Sequence, residues 1–150
     1  MNIPPEISIP ICIEQGAVYL YHLDTVNKDG TLYSGERFFI IMNVSPKTDS
    51  ILILTTITKQ IIKQQEYIKK VGEHPDTLVA ISPSDFPPLS TESIVNCNRT
   101  YEITLSELIA KIENSGKIFT DRLPKTIIAA LISGVVKSNQ IAPEIKKLLI

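Results

Sequence analysis

Cysteine and histidine are scarce, with two of each in 150 residues. Cys12 and Cys97 lie far apart and neither belongs to a C-x-x-C pair or a His-rich cluster, which excludes the usual zinc and dithiol motifs. Two buried free thiols are expected. An excess of either charge is also lacking: fifteen Lys plus Arg stand against sixteen Asp plus Glu, for a formal net charge of -1. No global positive field draws in a polyanion, so a nucleic-acid partner would need a locally basic groove. Uninterrupted apolar runs of the ~20 residues needed to span a bilayer are missing. Met1 to Glu6 carries no positive charge and two prolines, unlike a secretory signal, and a cytoplasmic protein without membrane attachment is expected. At 43% apolar and 21% charged residues the chain does not have the composition of a disordered one. It has the length of one ordinary domain.

Standard catalytic signatures are missing too. There is no G-x-x-x-x-G-K loop, no dinucleotide fingerprint, no H-E-x-x-H and no G-x-S-x-G, which disfavours nucleotide-dependent and metal-dependent enzymes. Neither a cofactor nor a metal is expected.

What is present follows two patterns, β-branched runs over the first two thirds and helix punctuation over the last third, an α+β order. Residues 1–15 hold three prolines and no strong period, and read as an extended N-terminal arm docked on a single domain spanning 16–150. Strands are expected at Gly16–Asp24, at Glu36–Val44, at Ser50–Ile57, at Leu78–Ile81 and at Ser93–Asn98, with Tyr101-Glu-Ile103 leading into a helix cap. Asn27–Gly30 and Ser45–Asp49 supply turn chemistry. The Glu36–Val44 run is so continuously apolar that both its faces should be covered. Lys59 to Lys70 leans towards a helix. Three prolines between Pro83 and Pro88 interrupt the ladder after Ile81. Thr104-Leu-Ser-Glu107 has the form of a capping box that opens a helix ending near Ser115-Gly116. Further helices are expected from Pro124 to about Lys137 and from Pro143. The apolar stripe of the Pro124 helix is most simply core packing, with a dimerisation face as the sharper alternative.

Arg37 draws attention among only three arginines, at the mouth of the most apolar strand. A guanidinium there could clamp a phosphate with a planar pair of donors, or form a surface ion pair with Glu36 or Asp24. Thr55, Thr56 and Thr58 end the third strand, where β-propensity alone would account for them. His22 and His74 are the only imidazoles. His22 reads as a hydrogen-bonded strand residue or as an acid-base group, and His74 as a solvated loop residue.

The order of these motifs resembles a known family. Gly16-Ala-Val-Tyr-Leu, then Gly35-Glu-Arg37 before a hydrophobic strand, then Ile-Leu-Thr-Thr-Ile-Thr58-Lys-Gln-Ile, is similar to the PemK/MazF-like growth-inhibitor toxins. Leu89-Ser-Thr-Glu-Ser93-Ile-Val-Asn-Cys-Asn98 and the helices that follow fall in the same order, so the resemblance covers roughly 16–136. It implies an SH3-like β-barrel of about five to seven strands with C-terminal helices. It also implies a homodimer that cleaves single-stranded RNA without a metal and is covered by a small cognate antitoxin. The family's catalytic arginine maps onto Arg37 and its catalytic threonine onto Thr58. An RNA surface would then include Glu36, Lys59, Gln60, Ser93, Asn98, Arg99 and His22. Arg37, Lys59 and Arg99 would line the groove while Glu14, Asp24 and Glu102 offset them elsewhere, with few phosphate contacts. The general base is open between His22 and Glu36. Two departures stand out: Phe38 replaces the family's proline after the arginine, and Asn98-Arg99 replaces an acidic-Gln pair. The alternatives are a non-catalytic binding module on the same barrel, or a toxin acting on a topoisomerase.

Overall fold

The computed structural model describes residues 3–26 and 30–150. Its elements run α1 (Pro5–Cys12), β1 (Val18–Val26), β2 (Leu32–Ile41), β3 (Leu52–Thr58), α2 (Ile61–Val71), β4 (Leu78–Ile81), β5 (Ser93–Asn96), β6 (Tyr101–Ile103), α3 (Leu105–Ser115), β7 (Lys117–Ile118), α4 (Lys125–Lys137) and α5 (Pro143–Lys147). This is the expected α+β class. Of the Asn27–Gly30 turn, residues 27–29 lie outside the described residues.

All seven strands form one antiparallel sheet in the order β4-β5-β3-β2-β1-β7, with β6 pairing β3 beside β5. The path is open, and among the described residues no strand pair closes β4 onto β7 into the ring expected of a barrel. Both faces of the centre are covered. On one face Val18, Ile40, Met42, Ile53 and Ile57 pack with Leu131 and Val135 of α4. On the other Tyr19, Tyr21, Phe39, Ile41 and Leu54 pack with Ile9 of α1, Ile13 just beyond it, and Leu108 and Ile112 of α3. Alternate residues of β2 therefore enter different cores, which is why its apolar run is continuous.

The arm expected to be extended is helical instead. Pro5 occupies the first turn, where a missing N–H costs nothing, and Pro10 interrupts only one internal bond before the helix ends. Ile9 and Ile13 are buried to 1% and 0% exposure, each contributing about 1.5–3 kcal/mol of apolar transfer. Gln15 then ties the chain down by donating through Nε2 to the carbonyls of Met42 and Leu149, at 2.8 and 2.9 Å. The capping box forms as its sequence suggested: the Glu107 amide donates to Thr104 Oγ1, and the Thr104 amide to Glu107 Oε1.

The register of β2 against β3 is held at their turn by Asn43, which is wholly buried. Its Nδ2 donates to Asp49 Oδ2 and to the Ile51 carbonyl, both at 2.9 Å, and its Oδ1 accepts the Ile53 amide at 2.6 Å. Gly134 lets α4 approach the sheet, because a Cβ at that position would stand 2.8 Å from Cys97 Sγ and 2.9 Å from the Asp76 carbonyl.

The two thiols part company: Cys97 is buried under α4, whereas Cys12, expected to be buried, is exposed on the outer face of α1. Burial pushes the Cys97 thiol from an ordinary 9.0 up to about 12. The unfolded chain therefore ionises first, and stability that is complete below pH 9.0 declines as pH rises from 9.0 towards 12. A thiol reagent at pH 8 should modify one cysteine in the folded protein and the second only after unfolding. Asn43→Ala should destabilise the protein by roughly 2–4 kcal/mol, read as a lower urea midpoint, since it strands buried groups at the turn.

Candidate functional site

Strands β2 and β3 pair over only four positions, from Ile41↔Leu54 to Phe38↔Ile57. Beyond that point they separate. β2 continues with β1 as a ribbon paired out to Val26↔Leu32, while β3 turns its last pair, Thr58↔Ile94, to β5. Arg37 and Thr58 are the first residues past the shared ladder, one on each side of the split.

The split opens a cavity of about 420 Å³. Leu20, Phe38, Ile57 and Leu89 form its apolar lining, and Glu36, Arg37, Thr58, Lys59, Gln60 and Ser93 its polar lining. Arg37 and Thr58 also wall a cleft of about 20 Å³ with Thr56, Gln64, Asn96, Arg99 and Tyr101. The guanidinium of Arg99 lies 4.8 Å above the Tyr67 ring of α2, a cation-π contact that holds this exposed cation in place.

Local hydrogen bonds decide what each group can offer. Thr58 Oγ1 accepts the Gln60 amide at 3.2 Å, which leaves its hydroxyl proton available to donate. Ser93 Oγ donates to the Thr91 carbonyl at 3.0 Å, so towards the cavity it is an acceptor.

Of the residues picked out in the sequence, Glu36, Arg37, Thr58, Lys59, Gln60 and Ser93 share the cavity, and Arg99 borders the cleft behind it. Asn98 and His22 do not. Asn98 is 4% exposed; its Nδ2 donates to Thr77 Oγ1 and Asn96 Oδ1, and its Oδ1 accepts from Ser138 Oγ at 2.5 Å. It braces the 77–98 region against the end of α4 rather than facing a ligand. His22 pairs with Glu36 across the ribbon, but its Nε2 lies 2.9 Å from both Asp24 Oδ1 and Ser34 Oγ, outside the cavity lining. Ser34, His22 and Asp24 have the composition of a hydrolytic triad without its geometry, because a triad uses the two ring nitrogens separately. The Ser34 hydroxyl and then His22 hold the exposed Asp24 carboxyl below its usual range. His74 caps the turn before β4, accepting the Asp76 amide at Nδ1.

Sequence reasoning missed the apolar lining and the Gln64, Asn96 and Tyr101 walls of the second cleft. Leu20, Phe38, Ile57 and Leu89 carry no signal that separates a cavity wall from core, and Tyr67 and Tyr101 are brought near Arg99 only by the fold. Of the acidic groups expected to offset the groove, Glu14 is engaged by Arg122 and Asp24 by His22, both outside the cavity lining, while Glu36 lies within it.

Compared with known protein families and with curated proteins, the chain matches no family model and no curated sequence.

Replacing Asn98 by Ala removes the acceptor of the buried Ser138 hydroxyl and one of the two partners of Thr77 Oγ1. Thermal or urea unfolding should register a loss of roughly 2–3 kcal/mol, with ligand binding by the remaining folded protein unchanged.

Proposed function

We propose that the chain is a metal-independent endoribonuclease of the PemK/MazF-like toxin type, acting on single-stranded RNA with Arg37 and Thr58 as its catalytic pair. The observation that carries this reading is the divergence of β2 from β3, which leaves Arg37 and Thr58 on either side of the split: both border the larger cavity with Lys59, and their side chains alternate to the strand face opposite Phe38 and Ile57, where both wall the small cleft with Arg99. An SH3-like arrangement of the strands belongs to this reading, with the sheet open between β4 and β7. A cytoplasmic homodimer held in check by a small antitoxin belongs to the same reading.

In this chemistry the ribose 2'-oxygen attacks the adjacent phosphorus, the bond from phosphorus to the 5'-oxygen breaks, and a 2',3'-cyclic phosphate is left. Negative charge accumulates on the phosphoryl oxygens as the attack proceeds. Arg37 stabilises it with a planar pair of donors, more strongly in the transition state than in the ground state. Thr58 donates to a non-bridging oxygen and fixes the phosphate. Neither of the two imidazoles lines the cavity and the Glu36 carboxylate does; in this reading Glu36 contacts the base rather than the ribose, the 2'-hydroxyl proton passes to solvent water and solvent returns one to the departing 5'-oxygen. Arginine does not serve as the base, since it stays protonated.

That missing imidazole is also what favours the second reading, a module that binds RNA without cutting it. Long RNA incubated with the protein in excess chelator separates the two. The expected products end in 2',3'-cyclic phosphate, and Arg37→Ala should lower kcat/KM by about 10²–10³-fold. Intact RNA that is nevertheless retained by the protein would replace the nuclease with the binding module. Cleavage undiminished in Arg37→Ala would move the catalytic site elsewhere.

A further inference from the structure

We infer that the cavity beside Arg37 is a guanine-reading pocket for one base flanking the scissile phosphate, with the Glu36 carboxylate as the group that selects it; this rests on the endoribonuclease reading. At about 420 Å³ the cavity sits near the lower end of the ~300–1,000 Å³ range of small-molecule sites, which suits a single nucleotide.

The panel beneath it is set by strand geometry. Leu20 pairs with Phe38 and His22 with Glu36, so Phe38 and Glu36 project from the same face of β2 two positions apart, roughly 7 Å along the strand. Phe38 is held in a cluster of three rings with Phe86 and Phe119, whose centroids lie 6.1 and 5.6 Å from it and 5.6 Å from each other. A planar base laid on Phe38 and Leu20 therefore presents its edge to Glu36. Stacking of this kind accepts any base, and discrimination must come from the edge.

At Glu36 and Ser93 that edge meets acceptors, while Arg37, Thr58, Lys59 and Gln60 carry the donors of the lining. An ionised Glu36 offers two acceptor oxygens and no donor, and Ser93 has already given its proton to the Thr91 carbonyl. Of the four bases only guanine carries two adjacent donors, N1–H and the N2 amino group, which a carboxylate takes in a bidentate pair. Cytosine and adenine each present one exocyclic amino group beside a ring acceptor. Uracil presents one N–H between two carbonyl oxygens, which a carboxylate repels.

Two measurements test this. Calorimetric titration with the four ribonucleoside 3'-monophosphates should show guanosine monophosphate binding about tenfold or more tighter than the others. Glu36→Gln, an isosteric change at an exposed strand position, should erase that margin. Mapping cuts in an RNA containing all sixteen dinucleotides should place them next to guanosine for the native protein and scatter them for Glu36→Gln. Cleavage without guanosine preference, or a preference that survives Glu36→Gln, would overturn the pocket assignment and leave the nuclease standing. Selective, Glu36-dependent binding of guanosine monophosphate with no RNA cleavage would uphold the pocket and overturn the nuclease. Absence of both would overturn both.

Discussion

Asn43 is the constraint on which the rest of the structure depends. One buried side-chain amide closes the β2–β3 turn with three hydrogen bonds, two given and one received. Because side chains alternate along a strand, a slip of one residue in this register would send Phe39 and Ile41 into the wrong core and turn Arg37 to the opposite face. The sheet has a separate core on each face, so a slip would be penalised on both sides at once. Correct register is thereby enforced by packing, and Asn43 supplies the local geometry that makes it reachable from a short turn.

The candidate site lies where that enforced order ends. Up to Phe38↔Ile57 the ladder satisfies the backbone of both strands; past it each strand turns to a different neighbour. A split of this kind concentrates side chains from β1, β2, β3 and the segment before β5 around one space without requiring a long loop. It also explains how a chain of net charge -1 can offer a cationic corner. Arg37, Lys59 and Arg99 gather at the split, while acidic groups such as Glu14 and Asp24 are engaged elsewhere.

Legibility followed the range of the interactions. The strand Leu78–Ile81 and the capped helix starting after Thr104 were readable because branched runs, turn residues and a Thr-x-x-Glu pattern act within a few positions. The N-terminal arm was misread because its prolines suggest extended chain, whereas their places in the first and last turns of α1 are compatible with helix. Strand β7 has two residues and hence no period to detect. The resemblance puts Asn98 and His22 on an RNA surface, whereas their hydrogen bonds lie with Thr77, Asn96 and Ser138 in one case and with Asp24 and Ser34 in the other. Cys12 went the other way, since a free thiol is usually buried and this one is on the outer face of a helix.

From the sequence alone came the α+β class, most of the strand and helix positions, the two-sided burial of β2 and the choice of Arg37 and Thr58 as a pair worth testing. The first three depend on periodicity, capping or residue chemistry that acts over a few neighbouring positions, and the pairing of Arg37 with Thr58 on the resemblance of the motif order to a known family. Only the tertiary structure decided that the sheet stays open, that α1 seals one core, that Glu36, Lys59, Gln60 and Ser93 meet Arg37 in one cavity, and that His22 and Asn98 do not. These are matters of register and burial between segments distant in the chain, which no local pattern encodes.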